Sequence, residues 1–212
     1  MSKYGYIGKD VPTQAIKSNA GVLTPKEHRD LIIDDKLFIA GQIEHISTTD
    51  ISSGTTNVDI TELQQDKYNV LLFTLNDVTG ASGGGLEIQY YEDLSGTSTL
   101  ETASVYQWAH QNNNADASNS ESRNTVGYNA FGNGGLPNNG FMYLYNAGDS
   151  TRYTFATWHS TNMASATLYN SCWGSNVMTQ TSVVDGIRFR ISSSSINFSS
   201  GTISLYGIKE YS

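Results

Sequence analysis

In Gly186-Ile187-Arg188-Phe189-Arg190-Ile191 the apolar and charged residues alternate without a break. Side chains of a strand point by turns to opposite faces, so this run fits a strand with one dry face and one wet face. A helix would scatter the same residues around its circumference. Thr202-Ile203-Ser204-Leu205-Tyr206 repeats the device, and from Leu37 onward short apolar runs recur between clusters of Gly, Asn, Ser and Asp. That rhythm is the one expected of sandwiches and jelly rolls. Strands are expected near residues 37–46, 56–60, 68–76, 85–91, 102–109, 125–131, 140–146, 152–158, 177–182, 186–191 and 202–208.

Val70-Leu71-Leu72-Phe73 breaks the alternation by being apolar on both faces, which predicts a central strand covered twice. Its second cover would be the N-terminal segment or a neighbouring subunit. Glycine-rich stretches at 80–85, 133–140 and 146–149 supply left-handed turn positions, and the first of them is read as a hairpin. The polar run 110–124 is read as an exposed tip or a mobile loop, and residues 168–174 as a loop. Only 15% of residues are charged, against roughly 25% in an average soluble domain, with Ser, Thr and Asn in their place. Such a mixture weakens helices more than strands.

Residues 1–36 differ from the rest of the chain. They hold Pro12 and Pro25, two of the three prolines, and show no alternation. Thr24-Pro25-Lys26-Glu27 carries a helix start, with Thr24 as N-cap, Pro25 at the first helical position and Glu27 closing a capping box. A short helix over about 24–33 is expected, after an extended arm. An apolar arm that cannot bury itself alone is a docking element, and Tyr4, Tyr6, Ile7, Val11, Pro12, Ile16, Val22 and Leu23 are its candidate contacts. The expected organisation is therefore an anchoring arm over 1–36 and a jelly-roll-like antiparallel β-sandwich over 37–212.

Chemistry is sparse. His28, His45, His110 and His159 are scattered without H-x-H or H-E-x-x-H spacing, so no metal site is expected. No G-x-S-x-G elbow occurs, and no G-K-[ST] follows the glycine run. Glu87, Glu92, Asp93, Glu101, Asp149 and Asp185 are carboxylates that only tertiary structure would pair for hydrolysis. Oxygen-rich segments 112–121 and 146–149 do not match an EF-hand loop. These patterns point away from an enzyme and call for no cofactor. A net charge of −8 without a basic stripe excludes the usual footprint of nucleic-acid binding. Single Cys172 rules out an intrachain disulfide. The absence of an apolar leader or a run of about 18 apolar residues predicts synthesis in the cytoplasm without membrane insertion.

Aromatic residues run through successive strands, and some must face away from the core. Tyr and Trp serve both oligomer interfaces and sugar stacking. Trp108, Trp158, Tyr169 and Trp173 are the candidate ligand or receptor surface.

Two segments carry a likeness. Tyr4-Gly5-Tyr6-Ile7-Gly8-Lys9-Asp10-Val11-Pro12-Thr13-Gln14, with Ser18-Asn19-Ala20-Gly21-Val22-Leu23-Thr24-Pro25, resembles the N-terminus of virion structural proteins of tailed phages, particularly of marine bacteria. Gly201-Thr202-Ile203-Ser204-Leu205-Tyr206-Gly207-Ile208-Lys209 resembles the final strand of sandwich domains in phage fibre and decoration proteins, and Tyr68-Asn69-Val70 and Gly148-Asp149-Ser150-Thr151 share the likeness. The resemblance implies a virion location and a jelly-roll-like domain, frequently trimeric. It also implies attachment to capsid or tail protein through the N-terminal segment. Without heptads or shaft repeats the chain suits a compact projection, either capsid decoration or short tail fibre. The competing reading is a carbohydrate-binding module or an adhesin for host surface glycan.

Overall fold

The computed structural model describes residues 14–15, 18–19, 25–33, 43–82, 84–113, 118–133, 136–165, 168–192 and 196–209. The chain divides into two compact units, Met1–Gly41 and Gln42–Ser212. In the first, β1 (Gln14–Ala15) pairs antiparallel with β2 (Ser18–Asn19), and α1 (Pro25–Ile33) comes next. Pro25 opens the helix, where its missing N–H costs nothing. Lys26 and Asp30 lie one turn apart and join at 2.6 Å, an exposed pair worth little. The arm contacts Tyr4, Tyr6, Ile7, Val11, Pro12, Ile16, Val22 and Leu23 lie outside the described residues.

The second unit is an antiparallel β-sandwich. Its strands are β3 (Ile43–Asp50), β4 (Asn57–Ile60), β5 (Val70–Gly80), β6 (Gly85–Asp93), β7 (Ser98–Leu100), β8 (Tyr106–Asn113), β9 (Ser118–Thr125), β10 (Tyr128–Asn133), β11 (Asn138–Tyr145), β12 (Phe155–Ser165), β13 (Leu168–Met178), β14 (Val184–Ile191) and β15 (Phe198–Ile208). One sheet runs β10-β6-β14-β4, with β7 on β6. The other runs β3-β15-β5-β11-β12-β13-β8-β9.

Setting aside β7 to β9 and β12–β13 leaves eight strands. Successive ones alternate between the quartets β3-β15-β5-β11 and β4-β14-β6-β10, except that β6 and β10 pair within one sheet, which is the double Greek key of a jelly roll. Of the two insertions, one after β6 and one after β11, strands β8, β9, β12 and β13 widen one sheet from four strands to eight, while β7 joins β6 of the other. That widening gives the larger sheet a broad outer face.

The core lies between the sheets. Leu71, Phe73 and Leu75 of β5, Ile187, Phe189 and Ile191 of β14, and Ile203 and Leu205 of β15 are buried, as the alternation requires. On the outer side of β14, Arg188 forms a two-pronged pair with Asp59 at 2.6 and 2.8 Å, and Arg190 pairs with Glu87. The doubly apolar stretch of β5 is central, and Leu72, on its outer side, is flanked in register by Tyr143 and Tyr206. Part of its second cover is thus supplied by the sheet itself.

Four expectations change. Residues 80–85 do not close a hairpin, because β5 and β6 belong to different sheets and the chain crosses the sandwich there. Instead of an exposed tip, the polar run 110–124 contributes to β8 and β9, which pair with each other. Its Gln, Asn and Ser side chains hid the strands, since backbone pairing at the edge of a sheet needs no apolar residue on the outer face. Residues 168–174 are not a loop but the first part of β13, which ends at Met178, so the strand expected at 177–182 is displaced. Polar residues on both faces of β13 conceal its period.

Candidate functional site

The two outer faces of the sandwich differ in chemistry. Over the smaller sheet lie the Arg188–Asp59 and Arg190–Glu87 pairs, an ordinary solvated surface. Over the larger sheet, the strands β15, β5, β11, β12, β13 and β8 contain a single charged residue, Asp77 near the end of β5. Charge returns only on the flanking strands: Glu44 and Asp50 on β3, Glu121 and Arg123 on β9. Glu44 is tied at 3.1 Å to Lys67 and at 3.2 Å to Lys209. Six nearly uncharged strands thus sit between two charged rims.

Rings occupy this face. On β11, Met142 and Leu144 turn inward while Phe141, Tyr143 and Tyr145 turn outward, with ring centroids 5.7 and 6.3 Å apart. They form a ridge along the strand. Register sets His159 of β12 beside Phe141 and Trp173 of β13 beside His159, and the rings meet edge to face at 5.9 and 6.3 Å. Such cross-strand aromatic pairs stabilise a sheet by up to about 1 kcal/mol each. His159 is held further by a 3.0 Å hydrogen bond with Ser171.

Beside the rings runs a trench of about 310 Å³. Thr157, Ser175 and Ala109 face one another across β12, β13 and β8 and form its floor. Phe155, Val177 and Gln107 border it on one side, and Glu121 and Arg123 close its far end. Small residues between large ones make a groove across the strands.

Of the four candidates drawn from the sequence, Tyr169 and Trp173 lie on this face, 56% and 39% exposed. Trp158 does not. It is 3% exposed and packs inward against Tyr128 at 5.5 Å, so it offers no surface to a receptor. Trp108 also points to the inner side and stacks on His110 at 5.1 Å. The parity of the strands decides this: Trp158 and Trp108 share the inward phase of Ala156 and Tyr106, whereas Trp173 alternates with buried Cys172. Phe141, Tyr143, Tyr145, Phe155 and His159 do not stand out in the sequence, because Met142 and Leu144 are apolar too. The usable signal is the split between rings at odd positions and aliphatic chains at even ones.

Beneath the trench the inner face carries a hydrogen-bonded tyrosine cluster. The Tyr90 hydroxyl donates to Asn176 Oδ1 at 3.0 Å and meets the Tyr128 hydroxyl at 2.9 Å, while the Tyr90 N–H donates to the Tyr106 hydroxyl at 2.8 Å. Burial pushes all three phenols far up, so they stay neutral and serve as neutral hydrogen-bonding groups.

Among the carboxylates, the fold brings Glu92 and Glu101 together. Glu92 is buried and accepts from the Ser182 hydroxyl, and Glu101 accepts from Gln180 at 2.9 Å. Burial raises the Glu92 carboxyl above its ordinary value, and Glu101 beside it adds to the rise against the lowering by Ser182. A raised carboxyl favours the protonated fold, so stability is lost as pH climbs through and above 4.5. Glu92→Gln should therefore melt higher than the parent chain at about pH 8, the gap closing below 4.5, in melting curves across pH. A lower melting point at about pH 8 would refute the assignment.

Among the described residues no group of three or more His, Cys, Asp or Glu converges on a metal position. Asp149 Oδ1 is engaged by the Thr151 N–H and hydroxyl at 2.8 and 2.6 Å. No described helix is long and apolar enough to cross a membrane. Set against protein-family models, curated proteins and solved structures, the chain matches none.

Proposed function

We propose that this chain is a non-enzymatic structural protein of a tailed-phage virion. It forms a compact homo-oligomeric projection, trimeric by preference, as capsid decoration or short tail fibre. Residues 1–36 dock it to a capsid or tail protein, and the jelly roll is exposed. The observation that carries a contact role is the contrast between the two outer faces: one salt-bridged, the other nearly uncharged over six strands and lined with rings. Depletion of charge with enrichment of Tyr, Trp, Phe and Met marks the centre of a protein interface, with a polar rim around it. The virion assignment draws on the likeness of the N-terminal and C-terminal segments.

Deleting residues 1–36 should abolish attachment to particles while the far-ultraviolet circular dichroism of the remainder stays that of a β-protein. Co-sedimentation with particles that lack the wild-type copy measures it. Attachment equal to that of the full chain would refute docking through the arm. A second reading, recognition of a host glycan, draws on exposed Tyr169 and Trp173 on this face and on exposed Phe155 at the border of the trench. A glycan array separates the two, since a purely architectural protein gives no signal there.

A further inference from the structure

We infer that the nearly uncharged face of the eight-stranded sheet is the surface through which copies of this chain bind one another, the ring ridge of one copy lying in the trench of the next. The inference rests on the oligomeric projection proposed above and assigns its interface.

Three observations select a second copy over other occupants. The first is charge. A chain of net charge −8 repels its own copies, and a charge-depleted patch six strands wide is where two of them can meet without opposing carboxylates. The second is area. Six strands at roughly 4.8 Å spacing and about eight residues of roughly 3.3 Å each present about 750 Å². Stable interfaces bury about 800 Å² per partner, so the face matches a subunit. A saccharide chain stacking on two or three rings needs far less.

The third is shape. One face carries both a ridge, Phe141, Tyr143 and Tyr145 along β11, and a trench over Thr157, Ser175 and Ala109 across the neighbouring strands. A ridge along the strands enters a trench across them when the partner's strands cross at near right angles, one of the two ways sheets pack face to face. With ridge and trench on one face, two copies fill each other's trench about a two-fold axis, or successive copies join head to tail, which makes a ring where the rotation closes.

The test uses the full chain. Light scattering coupled to size exclusion at tens of micromolar should give two or more times 23.1 kDa for the parent protein. Ser175→Glu places a carboxylate on the trench floor, at an exposed position that the fold does not need. It should lower the mass to 23.1 kDa, or weaken association at least a hundredfold, with the far-ultraviolet circular dichroism of the folded parent retained. Thr99→Glu, on exposed β7 of the other sheet, should leave the oligomer intact. A parent protein that stays at 23.1 kDa at every concentration overturns the inference and leaves the face to a foreign ligand. So does a Ser175→Glu oligomer as stable as the parent's. Because the measurement needs no particles, it stands or falls separately from the virion assignment.

Discussion

Tyr128→Ala is expected to lower the unfolding free energy by about 3–5 kcal/mol, the cost of emptying a fully buried aromatic site. Tyr128 lies on β10, and its ring contacts Tyr90 of β6 at 5.7 Å, Tyr106 of β8 at 6.2 Å and Trp158 of β12 at 5.5 Å. The cavity would open where both insertions meet the eight-stranded jelly roll. Its hydroxyl also partners Tyr90 at 2.9 Å and reaches Met142 Sδ at 3.2 Å. Tyr128→Phe separates the two effects. Tyr90 keeps Asn176 as acceptor, so that variant should lose only about 1 kcal/mol. Urea titrations of the three proteins measure both. An alanine variant within about 1 kcal/mol of the parent would mean the inserted strands are not packed on β10 in this way.

Gly174→Ala is expected to cost about 1–3 kcal/mol, because the added methyl has nowhere to go. Its Cβ would fall 2.5 Å from the Ala109 carbonyl oxygen, 2.6 Å from the Trp158 ring and 2.7 Å from His110 Cβ. Trp158 is pinned against Tyr128, and the Ala109 carbonyl belongs to the backbone of β8 where it faces β13. Relief must come from spreading those two strands directly beneath the trench. A fall in melting temperature of roughly 2–10 °C is expected for a domain of this size. Self-association should weaken with it, since Trp173 and Ser175 flank the glycine on the outer face. An unchanged melting temperature would show that the sheet yields freely there, against the tight packing around Trp158.

How much of the fold is legible in the residues depends on which faces are wet. In β14, arginines on one side and branched chains on the other announce both the strand and its orientation. In β15 the Ile203 and Leu205 phase does the same. The arrangement of the sheet faces is not legible, because strands whose outer residues are Gln, Asn, Ser or aromatic lose the contrast on which period two depends. Thus the residues of β9 and the first half of β13 read as loop, and Trp158 reads as a surface ring although it shares the inward phase of Ala156. The missing charges are in plain view: residues 138–145, 155–165 and 168–178 hold none. They acquire meaning only when the fold sets those segments side by side. No local signal tells that the chain crosses between sheets at 80–85, since hairpins and sheet crossings use the same glycine-rich turns.

Immunogold labelling of intact phage particles with antibody raised against residues 37–212 tests the virion location directly. Gold is expected on the particle surface, over the head if the jelly roll decorates the capsid and at the tail if it is a short fibre. Intact, antibody-accessible particles that carry no gold, with the protein recovered only in the soluble lysate, would contradict that location.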